Sequence, residues 1–270
     1  MSFVPSTLIE YGHPEPDDLL AVLFPAYEIC LKPEGFPRAA EFGLTAKTPL
    51  LLGELSCRKL WGIRLDTAPE LPGGMYHTDW RTAFTVLDSS QCFGLCRAAE
   101  MLHWQSRMQF CGKCGTKLAP GNDLACVCSG CQERFYPQIA PAVIVAVTRG
   151  DELLLAHNRR FPDTVHSLIA GFVEAGESLE QAVVREVREE TGLEVGDIAY
   201  LGSQPWPFPN SLMIGFTARC VAGELAFDRT ELDYGSWFSR RDALPRLPRD
   251  GSIARKIIDD FYFERGFWVK

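Results

Sequence analysis

A mixed α/β sandwich, preceded by a four-cysteine metal ribbon and an N-terminal α+β domain, is the architecture this sequence predicts. Three observations carry that prediction. Residues 142–148 read AVIVAVT, a near-continuous β-branched run of the kind a strand buried on both faces needs. Residues 179–190 place Leu179, Ala182, Val183 and Val187 at helical spacing, and Gly192 follows as a stop. Two C-x-x-C knuckles precede both. Strands, a helix, more strands and a closing helix suggest a mixed sheet rather than a doubly wound parallel one.

The elements follow in chain order. Residues 19–29 are apolar with an interruption at Pro25, and residues 82–87 read as a short strand beyond turns at Pro72, Gly73 and Gly74. Over residues 94–110, Leu95, Ala98, Ala99, Leu102 and Met108 recur at helical spacing. Residues 1–108 form an N-terminal α+β domain with no nameable chemistry, read as a structural or dimerising module. Residues 109–137 are the ribbon. Residues 138–270 begin with the buried strand, which turns at Arg149-Gly150-Asp151 to pair with residues 153–156. The 179–190 helix, a strand over 213–220, a short strand at Trp237-Phe238 and a helix over 253–262 complete that domain.

Composition excludes several classes. Of 270 residues, 46% are hydrophobic and 23% charged, ordinary for a globular chain. A net charge of -8 argues against a duplex-DNA binder and suits a site for divalent cations. No apolar run reaches membrane-spanning length, and the start MSFVPSTLIEYGHPEPDD predicts no secretion signal. The expectation is a cytoplasmic, reducing setting, where ten scattered cysteines do not make a disulfide scaffold. Cys30, Cys57, Cys92, Cys96 and Cys220 are read as small buried hydrophobes.

The other five cysteines lie in CGKCGTKLAPGNDLACVCSGC, residues 111–131. Cys111 and Cys114 make one knuckle, Cys128 and Cys131 the other, with 13 residues between them. Four thiolates so spaced fit tetrahedral zinc, one ion per subunit, and a closed site leaves no open position for catalysis. Cys126 is the alternative to Cys128, which keeps the partner knuckle's spacing.

The catalytic signal is GFVEAGESLEQAVVREVREETGLEV, residues 171–195. Glu186, Glu189 and Glu190 stand at i, i+3 and i+4, on one helix face. Like charges at that spacing repel, so a cation, a buried arginine or full solvation must offset them. Carboxylate oxygens are the ligands Mg²⁺ prefers. Arg185 is one turn before Glu189, Ser178 is a candidate cap, and Glu177 precedes the helix.

Gly171, Glu177 and the run Arg185-Glu186-Val187-Arg188-Glu189-Glu190-Thr191-Gly192-Leu193 resemble the complete Nudix box. That resemblance implies an α/β/α sandwich hydrolysing a nucleoside diphosphate linked to another group. Glu186, Glu189 and Glu190 would then hold Mg²⁺ or Mn²⁺. Glu177 would support the loop or a second metal, and Glu189 or Glu190 would act as the base.

A second run, Ser203-Gln204-Pro205-Trp206-Pro207-Phe208-Pro209-Asn210-Ser211, contains three prolines. Physical chemistry makes it a stiff, extended segment, neither helix nor central strand. It suits either a pocket wall or a connector pinned by its aromatics. It resembles the SQPWPFPxS signature of the NADH pyrophosphatase branch of the Nudix family. The resemblance extends to the ribbon exit, residues 132–141, and covers about residues 108–262.

It implies hydrolysis of NAD(H) to NMN(H) and AMP, removal of NAD caps from single-stranded RNA, and a homodimer. It places Tyr136 and Phe172 around the nicotinamide and makes Gln204, Glu231, Ile144 and Ala254 binding candidates, Glu231 also a metal candidate. Trp206, Phe208 and Ser211 join them from the signature. Arg134, Arg159 and Arg160 are candidate RNA contacts, each equally readable as surface charge. The rivals are a Nudix hydrolase of ADP-ribose or dinucleoside polyphosphates, a zinc-ribbon nucleic-acid binding module with an inactive Nudix domain, and a purely structural protein.

Overall fold

The structure is a computed structural model describing residues 2–42, 47–67, 70–160, 164–227 and 229–263. The chain divides into two compact units. The first is Met1–Gln138 with Pro207–Asn210, and the second is Ile139–Trp206 with Ser211–Lys270.

The first unit opens with β1 (Phe3–Pro5) and β2 (Leu19–Phe24), which turns through a 3-10 segment at Pro25–Tyr27 into β3 (Glu28–Leu31). The apolar 19–29 stretch is therefore a hairpin. Then come α1 (Ala39–Phe42), β4 (Leu50–Leu55), β5 (Arg58–Arg64), β6 (Tyr76–Asp79), α2 (Trp80–Val86) and α3 (Ser89–Arg107). The six strands run in the order β1-β4-β5-β2-β3-β6, with β2 and β5 parallel. Leu20, Val22, Phe24, Cys30, Phe42, Trp61 and Ile63 cluster on this sheet. Helix α3 buries Leu95, Ala98, Ala99 and Leu102, as its spacing predicts, and approaches β5 where a Cβ at Gly94 would crowd Leu60.

One expectation is corrected here. Residues 82–87 are not a strand but most of α2. The Asp79 side chain accepts from Thr82 N–H and Oγ1–H, which caps a helix start. Trp80, Ala83 and Phe84 then fall on one buried face. Thr82, Phe84, Thr85 and Val86 are residue types that strands favour, and the cap decides for the helix. Helix α3 likewise begins before the expected 94, because Asp88 and Gln91 form a capping box.

The ribbon is a small sheet of β7 (Leu118–Pro120), β8 (Cys126–Cys128) and β9 (Arg134–Phe135).

The second unit comprises β10 (Ala140–Arg149), β11 (Glu152–Asn158), β12 (His166–Ser167), β13 (Ile169–Phe172), α4 (Leu179–Thr191), β14 (Glu194–Trp206), β15 (Ser211–Ala222), β16 (Leu232–Ser239) and α5 (Ile253–Phe263). The main path of its seven-stranded sheet is β12-β11-β10-β15-β14, with β13 on β10 and β16 on β11. Strands β10 and β15 are parallel and the other pairings antiparallel, so the sheet is mixed as expected. Val143, Val145 and Val147 of β10 join Ala182, Val183 and Val187 of α4 in one core. Ile144 and Ala146 join Ile253, Ala254, Ile257 and Ile258 of α5 in the other. A strand covered by a helix on each face has no polar side, which explains the AVIVAVT run.

The proline-rich segment splits. Residues up to Trp206 pair with β15 as the end of β14, which sits at the sheet's edge where prolines are tolerated. Residues 207–210 are a turn rather than extended chain, and they belong to the first unit. Helices of the described residues include none long and apolar enough to cross a membrane.

Candidate active site

The site is organised by α4 and the loop before it. Ser178 accepts from Gln181 N–H at 3.2 Å, and the Gln181 side chain accepts from Ser178 N–H at 2.8 Å, so the helix start is fixed from both sides. At its other end Gly192 adopts φ 73°, a left-handed cap that a Cβ would strain. Within these limits Ala182, Val183 and Val187 point into the core, with Glu190 also buried, and Arg185, Glu186 and Glu189 stand on the remaining surface.

Arg185 gathers the acidic groups. Its Nε and Nη2 donate to the two oxygens of Glu177 at 2.6 and 2.8 Å, and Nη2 also reaches Phe172 O at 2.9 Å. Its Nη1 lies 2.9 Å from Glu186 Oε1 and 3.1 Å from Glu189 Oε2. The arginine thus offsets the repulsion that the i, i+3, i+4 spacing creates. Its grip holds the Glu177 carboxyl at about 2, while burial pushes Glu186 above the usual carboxylate range against the pull of Arg185. The nearby charges of Glu189 and Glu231 push Glu186 the same way.

The three box glutamates are not equivalent. The Glu189 side chain is 60% exposed, whereas Glu190 is only 6% exposed. Glu186 lies directly over Gly171, where any Cβ would overlap its carboxylate. Glycine at 171, on β13, is therefore a cradle for a carboxylate, a role its place in the motif does not announce.

The other face of the sheet collects the substrate candidates of this unit. Register pairs Phe172 with Ala142 and Ala170 with Ile144, and β15 sets Met213 beside Ala142 and Ser211 beside Ala140. Strand β14 adds Gln204 opposite Met213 and Trp206 opposite Ser211. Paired residues share a face, so Phe172, Ile144, Gln204, Trp206 and Ser211 stand together on the α5 side, where Ala254 packs. Phe172 is 56% exposed, while Ile144, Ser211 and Ala254 are buried. The Gln204 amide donates to Gly251 O at 2.8 Å and accepts from Ile253 N–H at 2.6 Å, so it anchors the start of α5.

Comparison with known proteins identifies the family. A family model described as the NUDIX domain matches residues 138–261. A curated protein of Pseudomonas aeruginosa (strain LESB58), NAD-capped RNA hydrolase NudC, is 44% identical over 236 residues, covering 87% of this chain and 81% of the relative. The protein of the same name from Escherichia coli O81 (strain ED1a) is 39% identical over 83% of this chain and 85% of its own length. A solved Nudix hydrolase from Nitrosomonas europaea aligns with 58% of this chain and 92% of its own at 20% identity and TM-score 0.47. The chain belongs to the Nudix hydrolase family.

Nudix hydrolases use divalent metal, and the donor set fits one. Glu186, Glu189, Glu190 and Glu231 offer the hard carboxylate oxygens that such cations prefer, and the Gly171 cradle keeps room for Glu186. Among the described residues, though, the four cysteine sulfurs are the one group of three or more such donors within 4.8 Å of each other. Arg185 Nη1 bridges Glu186 and Glu189, in place of a closed cage of carboxylates.

The cysteine group is Cys111, Cys114, Cys128 and Cys131. Sulfur separations of 3.4 and 3.6 Å from Cys114 to Cys128 and Cys131, and 3.6 Å from Cys111 to Cys131, match the edges of a tetrahedron with zinc–sulfur bonds near ~2.3 Å. Cys126 is buried on β8 and lies outside the group.

In the first unit, Tyr136 directly follows β9, is 51% exposed, and hydrogen-bonds Asp123 and Arg134. Phe208 packs within the same unit, its ring centroid 5.4 Å from Tyr27, 5.9 Å from Trp80 and 4.3 Å from the Arg81 guanidinium. Asn210 donates to Gln138 O. These contacts favour the pinned-connector reading of Phe208 over the pocket wall.

The candidate RNA contacts are largely engaged already. Arg134 pairs with Asp123 at 2.7 Å, Arg159 with Asp233 at 3.0 Å, and the exposed Arg160 lies 3.8 Å from Glu231. Sequence reading missed Asp123 and Asp233, since neither stands at a ligand or box position and each pairs with an arginine from another part of the chain.

Proposed function

We propose that this Nudix hydrolase cleaves the pyrophosphate of NAD(H), giving NMN(H) and AMP, and removes NAD caps from single-stranded RNA. The observation that carries the reading is the SQPWPFPNS run, which ends the edge strand beside Phe172's face of the sheet, in a chain 44% identical to a NAD-capped RNA hydrolase.

Glu186, Glu189, Glu190 and Glu231 hold the catalytic Mg²⁺ or Mn²⁺. When bound, such a cation neutralises phosphate oxygens and acidifies water. Arg185 and Glu177 fix the loop and orient the box carboxylates. Glu189, the most exposed of the three box glutamates, accepts the proton of the attacking water, with Glu190 the buried alternative. A phosphorus–oxygen bond of the pyrophosphate then breaks, and the two halves leave as monophosphates. Phe172 and Tyr136 offer exposed rings to the nicotinamide, each worth about 1 kcal/mol. Ile144, Ala254, Trp206 and Ser211 shape the wall, and Gln204 supports it through α5.

Cys111, Cys114, Cys128 and Cys131 bind one structural zinc per subunit. The division into residues 1–108, 109–137 and 138–270 keeps the box chemistry in the last part. The enzyme acts as a homodimer in the cytoplasm.

The test is hydrolysis of NADH, NAD⁺, ADP-ribose and a short NAD-capped RNA, with and without Mg²⁺ or Mn²⁺, beside a Glu189→Gln control. AMP and NMNH from NADH, lost in the control, support the proposal. Cleavage of ADP-ribose alone would replace the nicotinamide reading with another Nudix specificity. No cleavage at all would favour a binding module.

A further inference from the structure

The exposed Tyr136 ring is tied down by a group the substrate reading leaves unused. Asp123 lies in the turn between β7 and β8, closed by Gly121 N–H on Ala125 O at 2.8 Å. Its Oδ1 accepts from Ala125 N–H at 2.9 Å and from Arg134 Nη2 at 2.7 Å. Its Oδ2 accepts the Tyr136 hydroxyl proton at 3.1 Å, and Arg134 Nε donates to the same hydroxyl oxygen at 3.3 Å. Strand β9 and the residue after it make this possible: Arg134 and Tyr136 flank Phe135, which pairs with Cys126, and their side chains meet through the hydroxyl. The hydroxyl thus gives its proton to a carboxylate and accepts one from a guanidinium, while the ring stays half exposed.

A free surface tyrosine loses side-chain freedom when it stacks on a ligand, and a tethered one has lost it beforehand. We propose that Asp123 is a positioning residue for substrate, acting through the Tyr136 hydroxyl to hold that ring ready to stack on a flat heterocycle. The heterocycle is the nicotinamide, so the inference rests on the function proposed above. Asp123 touches no substrate itself. Arg134 closes the triangle, which gives that arginine a role within the ribbon rather than on RNA.

The experiment is steady-state kinetics with NADH for the full-length zinc-loaded enzyme, Asp123→Asn, Tyr136→Phe, the double variant and Tyr136→Ala. Asparagine keeps an oxygen for Ala125 N–H, so the turn survives. Asp123→Asn should raise KM about three- to tenfold, more than it lowers kcat. The double variant should match Tyr136→Phe within about twofold, because without the hydroxyl Asp123 has nothing to act through.

A KM for Asp123→Asn within about twofold of the parent, or a double variant that multiplies the two single effects, would overturn the proposal. So would loss of zinc from Asp123→Asn, which would make Asp123 a structural residue of the ribbon. A parent that leaves NADH intact, or Tyr136→Ala with parental KM, would instead sink the nicotinamide reading. A raised KM in Tyr136→Ala beside a silent Asp123→Asn would overturn this proposal alone.

Discussion

Arg185 holds Glu177 in a fork of two hydrogen bonds, Nε to Oε1 at 2.6 Å and Nη2 to Oε2 at 2.8 Å. A lysine offers one point charge and cannot make that fork. Arg185→Lys should therefore loosen the loop and the box carboxylates together and lower kcat about 10- to 100-fold, as losses around metal ligands do. The pH consequence has a definite sign. The Glu177 carboxyl falls from 4.5 to about 2 in the folded protein, so its stabilisation is present above 4.5 and is lost as pH falls through about 2. An acid titration followed by circular dichroism should find Arg185→Lys unfolding at higher pH than the parent. Coincident acid transitions would show that the fork adds nothing to stability.

Gly171→Ala tests the cradle. The added methyl would overlap the Glu186 carboxylate and displace it from a half-buried position. A displacement of about 1 Å in a catalytic group can cost about 100-fold in rate. The variant should stay folded and lose activity by that order, with weaker Mn²⁺ binding in a titration. A fully active Gly171→Ala would mean that Glu186 works from a different place.

The two candidate zinc ligands on β8 can be separated by serine substitution. Cys128 belongs to the sulfur tetrad and Cys126 does not. Cys128→Ser should lose its zinc and loosen the ribbon, because binding energy of this kind is folding energy. Cys126→Ser should retain zinc as measured by elemental analysis. The reverse pattern would reassign the knuckle.

Glu100 on α3 predicts an opposite pH effect in the first unit. Burial raises its carboxyl from 4.5 to about 7, and the neighbouring Arg97 only partly offsets this. The folded state then holds a proton that the unfolded chain has released, so stability falls as pH rises from 4.5 to about 7. Glu100→Gln removes that penalty. It should stabilise the protein at pH ~8 by an amount on the order of 2 kcal/mol, with the gain vanishing near pH ~4. Melting curves at the two pH values check it, and an equal gain at both would refute the assignment.

Much of the site was legible in the residues because the relevant spacings are short. Helix α4, its Ser178 cap and its Gly192 stop occupy the expected places. The sulfur tetrad is likewise a pair of local knuckles joined by a hairpin. Less legible was α2, where Thr82, Phe84, Thr85 and Val86 are residue types that strands favour and Asp79 has to be recognised as a cap. Nor does spacing reveal that Arg185 bridges Glu177, Glu186 and Glu189, because i, i+3 and i+4 describe Cα positions and not where long side chains end.

The sequence by itself determined the family, the carboxylate helix and the cysteine ligands, since each is written within a few turns of chain. Only the tertiary structure decided which distant residues share a surface. The registers of β13, β15 and β14 around β10 set Phe172, Ile144, Gln204, Trp206 and Ser211 on one face. The aromatic neighbours of Phe208 and the Asp123 tether on Tyr136 are likewise contacts between separate elements. The physical reason is that strand pairing and side-chain packing are chosen by the burial of whole faces, and a one-residue shift in register would send every side chain to the other side.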